Sequence, residues 1–174
     1  MPCRPPRAGV QAVRGLAASG LPARRPQRID VRARGRARRR GGRLRCGVIA
    51  FAADTMILRD PRDEVPSERV VDDLLSLRGH GRTDLARALA AASTQLEHVP
   101  PGGRTAILMS DCLHTRGADP RGPASALDGL HVLGTSSEPE SVQAGRSLAR
   151  RGHGRWRPAT TLDELARNLQ AVLA

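Results

Sequence analysis

From residue 46 onward, apolar residues gather in short blocks that alternate between a strand period and a helix period. The run Cys46-Gly47-Val48-Ile49-Ala50-Phe51-Ala52 is continuously apolar and reads as a buried strand. Residues 55–59 form a second strand, joined by a connector short enough for a hairpin. Pro66-Ser67-Glu68 opens a helix with proline and an acid in its first turn, and Val70, Val71, Leu74 and Leu75 make its apolar stripe. Gly79 and Gly81 end it. The next helix starts at Thr83 or Asp84, and Leu85, Leu89, Ala92 and Leu96 recur at the spacing of one core-facing stripe. Pro100-Pro101-Gly102-Gly103 stops that helix. Residues 104–111 then read as a buried strand ending in a carboxylate, Asp111.

Residues 112–129 form a Gly/Pro-containing connection with a short helix expected at 124–127. Leu130-His131-Val132-Leu133-Gly134 is the next strand. A helix follows from Ser137-Glu138-Pro139-Glu140 to about Arg151, and Arg155-Trp156-Arg157 fits a short edge strand. Thr161 and Glu164 have the spacing of a capping box. Leu162, Leu165, Leu169 and Val172 lie on one face of the final helix. Strands alternating with helices define an α/β chain: a doubly wound, mostly parallel sheet covered on both faces.

Residues 1–45 break this pattern. Their aliphatic residues are sparse. Val10, Val13 and Leu16 recur at helical spacing over residues 8–19, although Gly9 and Gly15 weaken a helix there. Ile29 and Val31 are the other apolar pair, a candidate for pairing with an open sheet edge. Every basic residue of the chain is Arg. Residues 1–45 hold 14 of them against one acid, Asp30, a charge of +13; residues 46–174 hold 15 against 16 acids, a charge of −1. The +12 of the whole chain is therefore a property of its first quarter. The run Arg32 to Arg40 repels itself and is expected to stay solvated. The chain divides into 1–45, an Arg-rich low-complexity segment, and 46–174, the patterned domain.

With one Phe, one Trp and no Tyr, the core must be built from aliphatic side chains. Cys3, Cys46 and Cys112 are odd in number and lack CxxC spacing, which fits buried thiols and a reducing, cytoplasmic setting. No apolar stretch reaches the ~20 residues of a membrane span, and the N-terminus has no apolar signal region. Cys112 and His114 are two residues apart, but on extended chain such side chains point alongside each other, a poor nucleophile–base pair. The histidines have no metal-ligand spacing, and no GxxxxGK[ST] phosphate loop occurs. No catalytic constellation emerges from these residues.

Two polar residues stand out by position. Thr83 lies at a helix start and Asp111 at the carboxyl end of a strand, and in an open α/β sheet such ends share one crevice. Hydroxyl and carboxylate oxygens suit a hard cation; Thr is also a good N-cap. The segments Gly47 to Ala52, Gly81-Arg82-Thr83-Asp84-Leu85 to Leu89, and Ala106-Ile107-Leu108-Met109-Ser110-Asp111 occur in the order and spacing of a von Willebrand factor A (VWA) domain. With His131 to Gly134 and the late helix, residues 46–174 resemble that family. The nearest likeness is to its bacterial intracellular members, which accompany magnesium-chelatase-like and other AAA+ ATPases.

The resemblance implies a protein-interaction module with a metal-ion-dependent adhesion site (MIDAS) for Mg²⁺, with Thr83 and Asp111 as two of its five ligands. The other three come in the family from a D-x-S-x-S motif at the end of the central strand. That motif occurs nowhere in this sequence. Its nearest echo, Asp30-Val31-Arg32-Ala33-Arg34, places Arg at both Ser positions, and Arg has no acceptor lone pair. A degenerate metal site and a sheet lacking its first, central strand are therefore expected. Two other readings compete. One is a nucleic-acid-associated protein that neutralises phosphates through residues 24–45, though without aromatics for base stacking. The other is a truncated, non-functional product, since an Arg/Pro/Ala/Gly tract joined abruptly to a patterned domain is what a frame error in GC-rich DNA gives.

Overall fold

The computed structural model describes residues 10–15, 46–63, 67–76 and 82–173. The apolar runs become β2 (Cys46–Phe51), β4 (Thr105–Ser110) and β5 (Gly129–Gly134), all parallel, with β6 (Trp156–Pro158) at one edge and β3 (Thr55–Arg59) antiparallel at the other. The sheet order is β3-β2-β1-β4-β5-β6. Its central place is taken by β1 (Val10–Gly15), which pairs in parallel with β2 along its whole length and with β4 from Val10 to Arg14.

The expectation of a missing central strand is thus corrected. The segment Val-Gln-Ala-Val-Arg-Gly carries the spacing of a weak helix, but extended backbone suits its two β-branched valines. Hydrogen-bonding partners on both sides outweigh the helical spacing. The sheet therefore draws one strand from the Arg-rich first quarter. The Ile29–Val31 pair and the Arg32 to Arg40 run lie outside the described residues.

Helices α1 (Ser67–Ser76), α2 (Leu85–Gln95), α3 (Arg121–Ala124), α4 (Pro139–Arg151) and α5 (Leu162–Leu173) follow the predicted order. The short α3 falls three residues before its expected start. The main core lies on one sheet face, where Ile49, Phe51, Leu108, Leu130 and Val132 meet Leu85, Leu89 and Leu96 of the α2 segment and Leu148 of α4. On the other face Ile107, Leu133 and Ala159 meet Leu165, Leu169 and Val172 of α5. Each side of the sheet is therefore covered, as a parallel sheet requires.

Leu162 departs from its predicted face and is exposed. The α5 cap also differs from a simple capping box. Thr161 Oγ1 accepts from the Glu164 N–H at 3.2 Å, while Glu164 Oε2 accepts from the N–H and hydroxyl of Thr160 at 2.9 and 2.7 Å. Gly145 is needed for close packing of α4 on the sheet, since a Cβ there would fall 2.7 Å from the Trp156 ring and 3.2 Å from Cys112 Sγ.

Candidate functional site

The order in which strands are added to the sheet reverses between the parallel neighbours β1 and β4: β1, β2 and β3 step one way, and β4, β5 and β6 the other. That is the topological switch point, where open α/β sheets form their ligand crevice at the carboxyl ends of the strands. Arg14 pairs with Met109, so Ser110 and Asp111 lie level with Gly15 and the exit of β1.

Asp111 is half-buried and sits one residue beyond β4. Its Oδ1 accepts from the Leu113 N–H at 3.2 Å and from the Ser110 hydroxyl at 3.4 Å. Ser110 Oγ in turn accepts from the Cys112 N–H at 3.0 Å. These bonds fold the chain back sharply, and Cys112 takes a left-handed φ of 62°, a costly conformation for a residue with a Cβ.

Thr83 is buried, and the N-cap of α2 is its neighbour Asp84, whose Oδ1 accepts from the Arg87 N–H at 3.0 Å. The Thr83 hydroxyl is therefore not spent on capping. The backbone of Thr83 is clamped to the loop after β4. Its N–H donates to Thr115 Oγ1 at 2.9 Å, and its carbonyl accepts from the N–H groups of Thr115 and Arg116 at 3.0 and 3.3 Å. The Asp84 N–H donates to the Ala52 carbonyl at 2.9 Å. Thr83 and Asp84 are thus tied to the loops after both β2 and β4. Gly117, with φ 90°, brings the second loop against the Asp84 carboxylate, where a Cβ would collide with Oδ1. The latch formed by Thr115 and Gly117 has no periodic signature; the glycine in a Gly/Pro-rich connection is its only trace in the sequence.

The two predicted site residues therefore lie on segments joined at one end of the sheet. Between them they offer one hydroxyl and one carboxylate. Among the described residues, no three His, Cys, Asp or Glu side chains are grouped to hold a metal. The sequence that follows β1 reads Leu16-Ala17-Ala18-Ser19, which lies outside the described residues. The Ser110 hydroxyl is committed to its own turn. Cys112 is buried and its thiol is pushed up to about 12, by desolvation first and the Asp111 charge second. It stays protonated and is a poor nucleophile, and His114 is exposed beside it.

No family model and no curated protein matches the sequence. Solved structures match the fold. An aerotolerance-related membrane protein from Bacteroides fragilis, with multiple mutations to serine, is 17% identical over 71% of this chain and 77% of its own, with a TM-score of 0.50. Proximal thread matrix protein 1 from the mussel byssus, with zinc in its MIDAS motif, is 13% identical over 97% of this chain, with a TM-score of 0.58. A second structure of that protein is 17% identical over 74% of this chain and 35% of its own, with a TM-score of 0.52. The chain spans about half the byssus protein, 47% of its length. At these identities the likeness is one of fold, and the fold is VWA-like. No helix among the described residues is long and apolar enough to cross a membrane.

Proposed function

We propose that this chain is a VWA-like protein-interaction module whose metal-ion-dependent adhesion site is degenerate. It acts in the cytoplasm by binding a protein partner such as an AAA+ ATPase, and it catalyses no reaction. The observation that carries this reading is the switch-point crevice. Thr83 and Asp111 occupy the two positions that match the VWA pattern, on loops clamped together by hydrogen bonds to the Thr83 backbone, while the sequence following β1, Leu16-Ala17-Ala18-Ser19, contains no acid. The zinc-occupied MIDAS of the byssus protein supports the choice of this crevice as the place where such a fold holds a cation. Two protein oxygens would leave Mg²⁺ mostly hydrated and weakly held.

The test is a thermal melt of the full chain in MgCl₂ and ZnCl₂, beside Asp111→Asn, together with capture of a purified AAA+ ATPase from the same organism. The expected result is capture of the ATPase and a melting temperature that neither salt moves in either protein. A metal-dependent rise that Asp111→Asn abolishes would show a working site and overturn the degenerate reading. A second reading, nucleic-acid binding through residues 24–45, is favoured by the concentration of positive charge there. It predicts a steep loss of affinity with salt, and deletion of those residues would remove that binding without touching ATPase capture.

A further inference from the structure

A groove runs along α4 from the turn after Asp111 to the helix's last turn. Its first part is an open depression of about 370 Å³, where Cys112, Pro120, Ala144 and Leu148 give apolar walls beside His114. Its second part encloses about 630 Å³ and is lined by Arg121, Ser147, Arg150 and Arg151. Asp119, Arg121 and Ser147 border both parts, so the two are continuous. Arg121 is neutralised by Asp119 at 2.6 Å. Arg150 and Arg151 are exposed and have no ion-pair partner among the described residues. Placement in the last turn suits the helix dipole, but that alone requires no groove beside them.

From this we infer that the α3–α4 groove binds a short acidic segment of a partner protein, in extended form. An aliphatic side chain enters the apolar part, and the carboxylates that follow it meet Arg150 and Arg151. Ala144, Ser147, Leu148 and Arg151 share one helix face at positions i, i+3, i+4 and i+7. Seven residues of helix rise about 10 Å, the length of about three residues of extended peptide. Charge selects the occupant. The Arg-rich first quarter of this chain, with its one acid, is repelled from the groove. A nucleic acid would find no Phe, Tyr or Trp in the lining on which to stack a base, the His114 imidazole being its one aromatic ring. The inference rests on the interaction-module reading and adds the partner's chemistry to it; it does not require a cation at Thr83 and Asp111.

The experiment uses the full chain and a fluorescein-labelled tetrapeptide of one leucine followed by three glutamates, read by fluorescence anisotropy near physiological salt. Three variants accompany the wild type. Arg150→Glu with Arg151→Glu reverses the groove's charge, Ser147→Phe fills it without changing charge, and Arg38→Glu with Arg39→Glu changes the N-terminal tract alone. Melting curves confirm that each variant is folded. The expected result is saturable binding that falls by about tenfold or more in both groove variants and holds in the tract variant. No binding by the wild type, or an equal fall in the tract variant, overturns the inference. So does a thymidine oligonucleotide that binds more tightly than the peptide and loses its affinity only in the groove variants. Failure of peptide binding with ATPase capture intact removes the groove and leaves the interaction module standing; failure of both removes the module as well.

Discussion

Replacing Gly117 by Ala tests whether the loop after β4 is latched to the start of α2. Gly117 holds φ 90°, and a Cβ there would stand 2.6 Å from Asp84 Oδ2 and nearer still to Oδ1. Two costs add. A left-handed backbone costs a residue with a Cβ about 1–2 kcal/mol. Displacing the Asp84 carboxylate costs the cap it gives the Arg87 N–H, about 1 kcal/mol for a typical N-cap. Gly117→Ala should therefore destabilise the chain by about 2–3 kcal/mol. Asp84→Ala alone should cost about 1 kcal/mol. With that carboxylate gone the new methyl meets nothing charged, so Gly117→Ala in the Asp84→Ala background should cost only the backbone term, about 1–2 kcal/mol. The cycle thus has a coupling of about 1 kcal/mol between two positions 33 apart in sequence, well above the scatter expected for independent sites. Urea unfolding followed by circular dichroism, with common slopes across the four proteins, measures it. Purely additive costs would refute the latch and with it the joining of the Thr83 and Asp111 loops.

Leu89 is fully buried in the main core, so Leu89→Ala should cost about 2–5 kcal/mol in the same assay, whereas the half-exposed edge residue Met56→Ala should cost under about 1 kcal/mol. The Cys112 thiol is held up to about 12 in the folded chain, against an ordinary value near 9. Its contribution is full below about pH 9 and is lost as pH rises toward 12, because the unfolded thiol ionises first. The chain has no Lys or Tyr to titrate in that window, so Cys112→Ala should flatten the alkaline decline of stability; an unchanged slope would refute the assignment. Asp111→Ala should cost about 1 kcal/mol by removing the acceptor for the Leu113 N–H, and a melt of Asp111→Asn should restore most of it by keeping an oxygen there.

The elements that could be read from residue order alone are those whose burial repeats. The α2 stripe, the β4 and β5 runs and the α4 span all fell where their spacing put them. β1 did not, because Gln11 and Arg14 interrupt what a central strand usually presents as an unbroken apolar run. Val10, Val13 and Leu16 fit a helix face as well as any other pattern in that stretch. Only the pairing to β2 and β4 decides the matter, and pairing is a long-range fact. The same holds for the site. Thr83 and Asp111 could be picked out by their places at element ends, but Thr115 and Gly117 act on a segment 32 and 33 residues away, Thr115 through its hydroxyl and main-chain N–H to Thr83 and Gly117 by lacking a Cβ beside the Asp84 carboxylate. A hydrogen bond to a main-chain carbonyl leaves no mark on residue type.

That distinction bears on the degenerate site proposed above. The frame around Thr83 is made mostly of main-chain groups: the carbonyl of Thr83, the N–H groups of Asp84, Thr115 and Arg116, and the carbonyl of Ala52, with the Thr115 hydroxyl accepting from the Thr83 N–H. The main-chain bonds depend on backbone path and tolerate most side chains. Cation binding depends instead on side-chain oxygens delivered together, and each lost ligand must be replaced by water at the expense of affinity. On the proposed reading, a ligand set can therefore be lost while the strand, the switch point and the clamp persist. Asp111 also has a second use, since its carboxylate closes the turn that carries Cys112 into the core. That structural task requires no bound cation. A binding surface along α4, a few residues beyond that turn, needs the frame and not the metal.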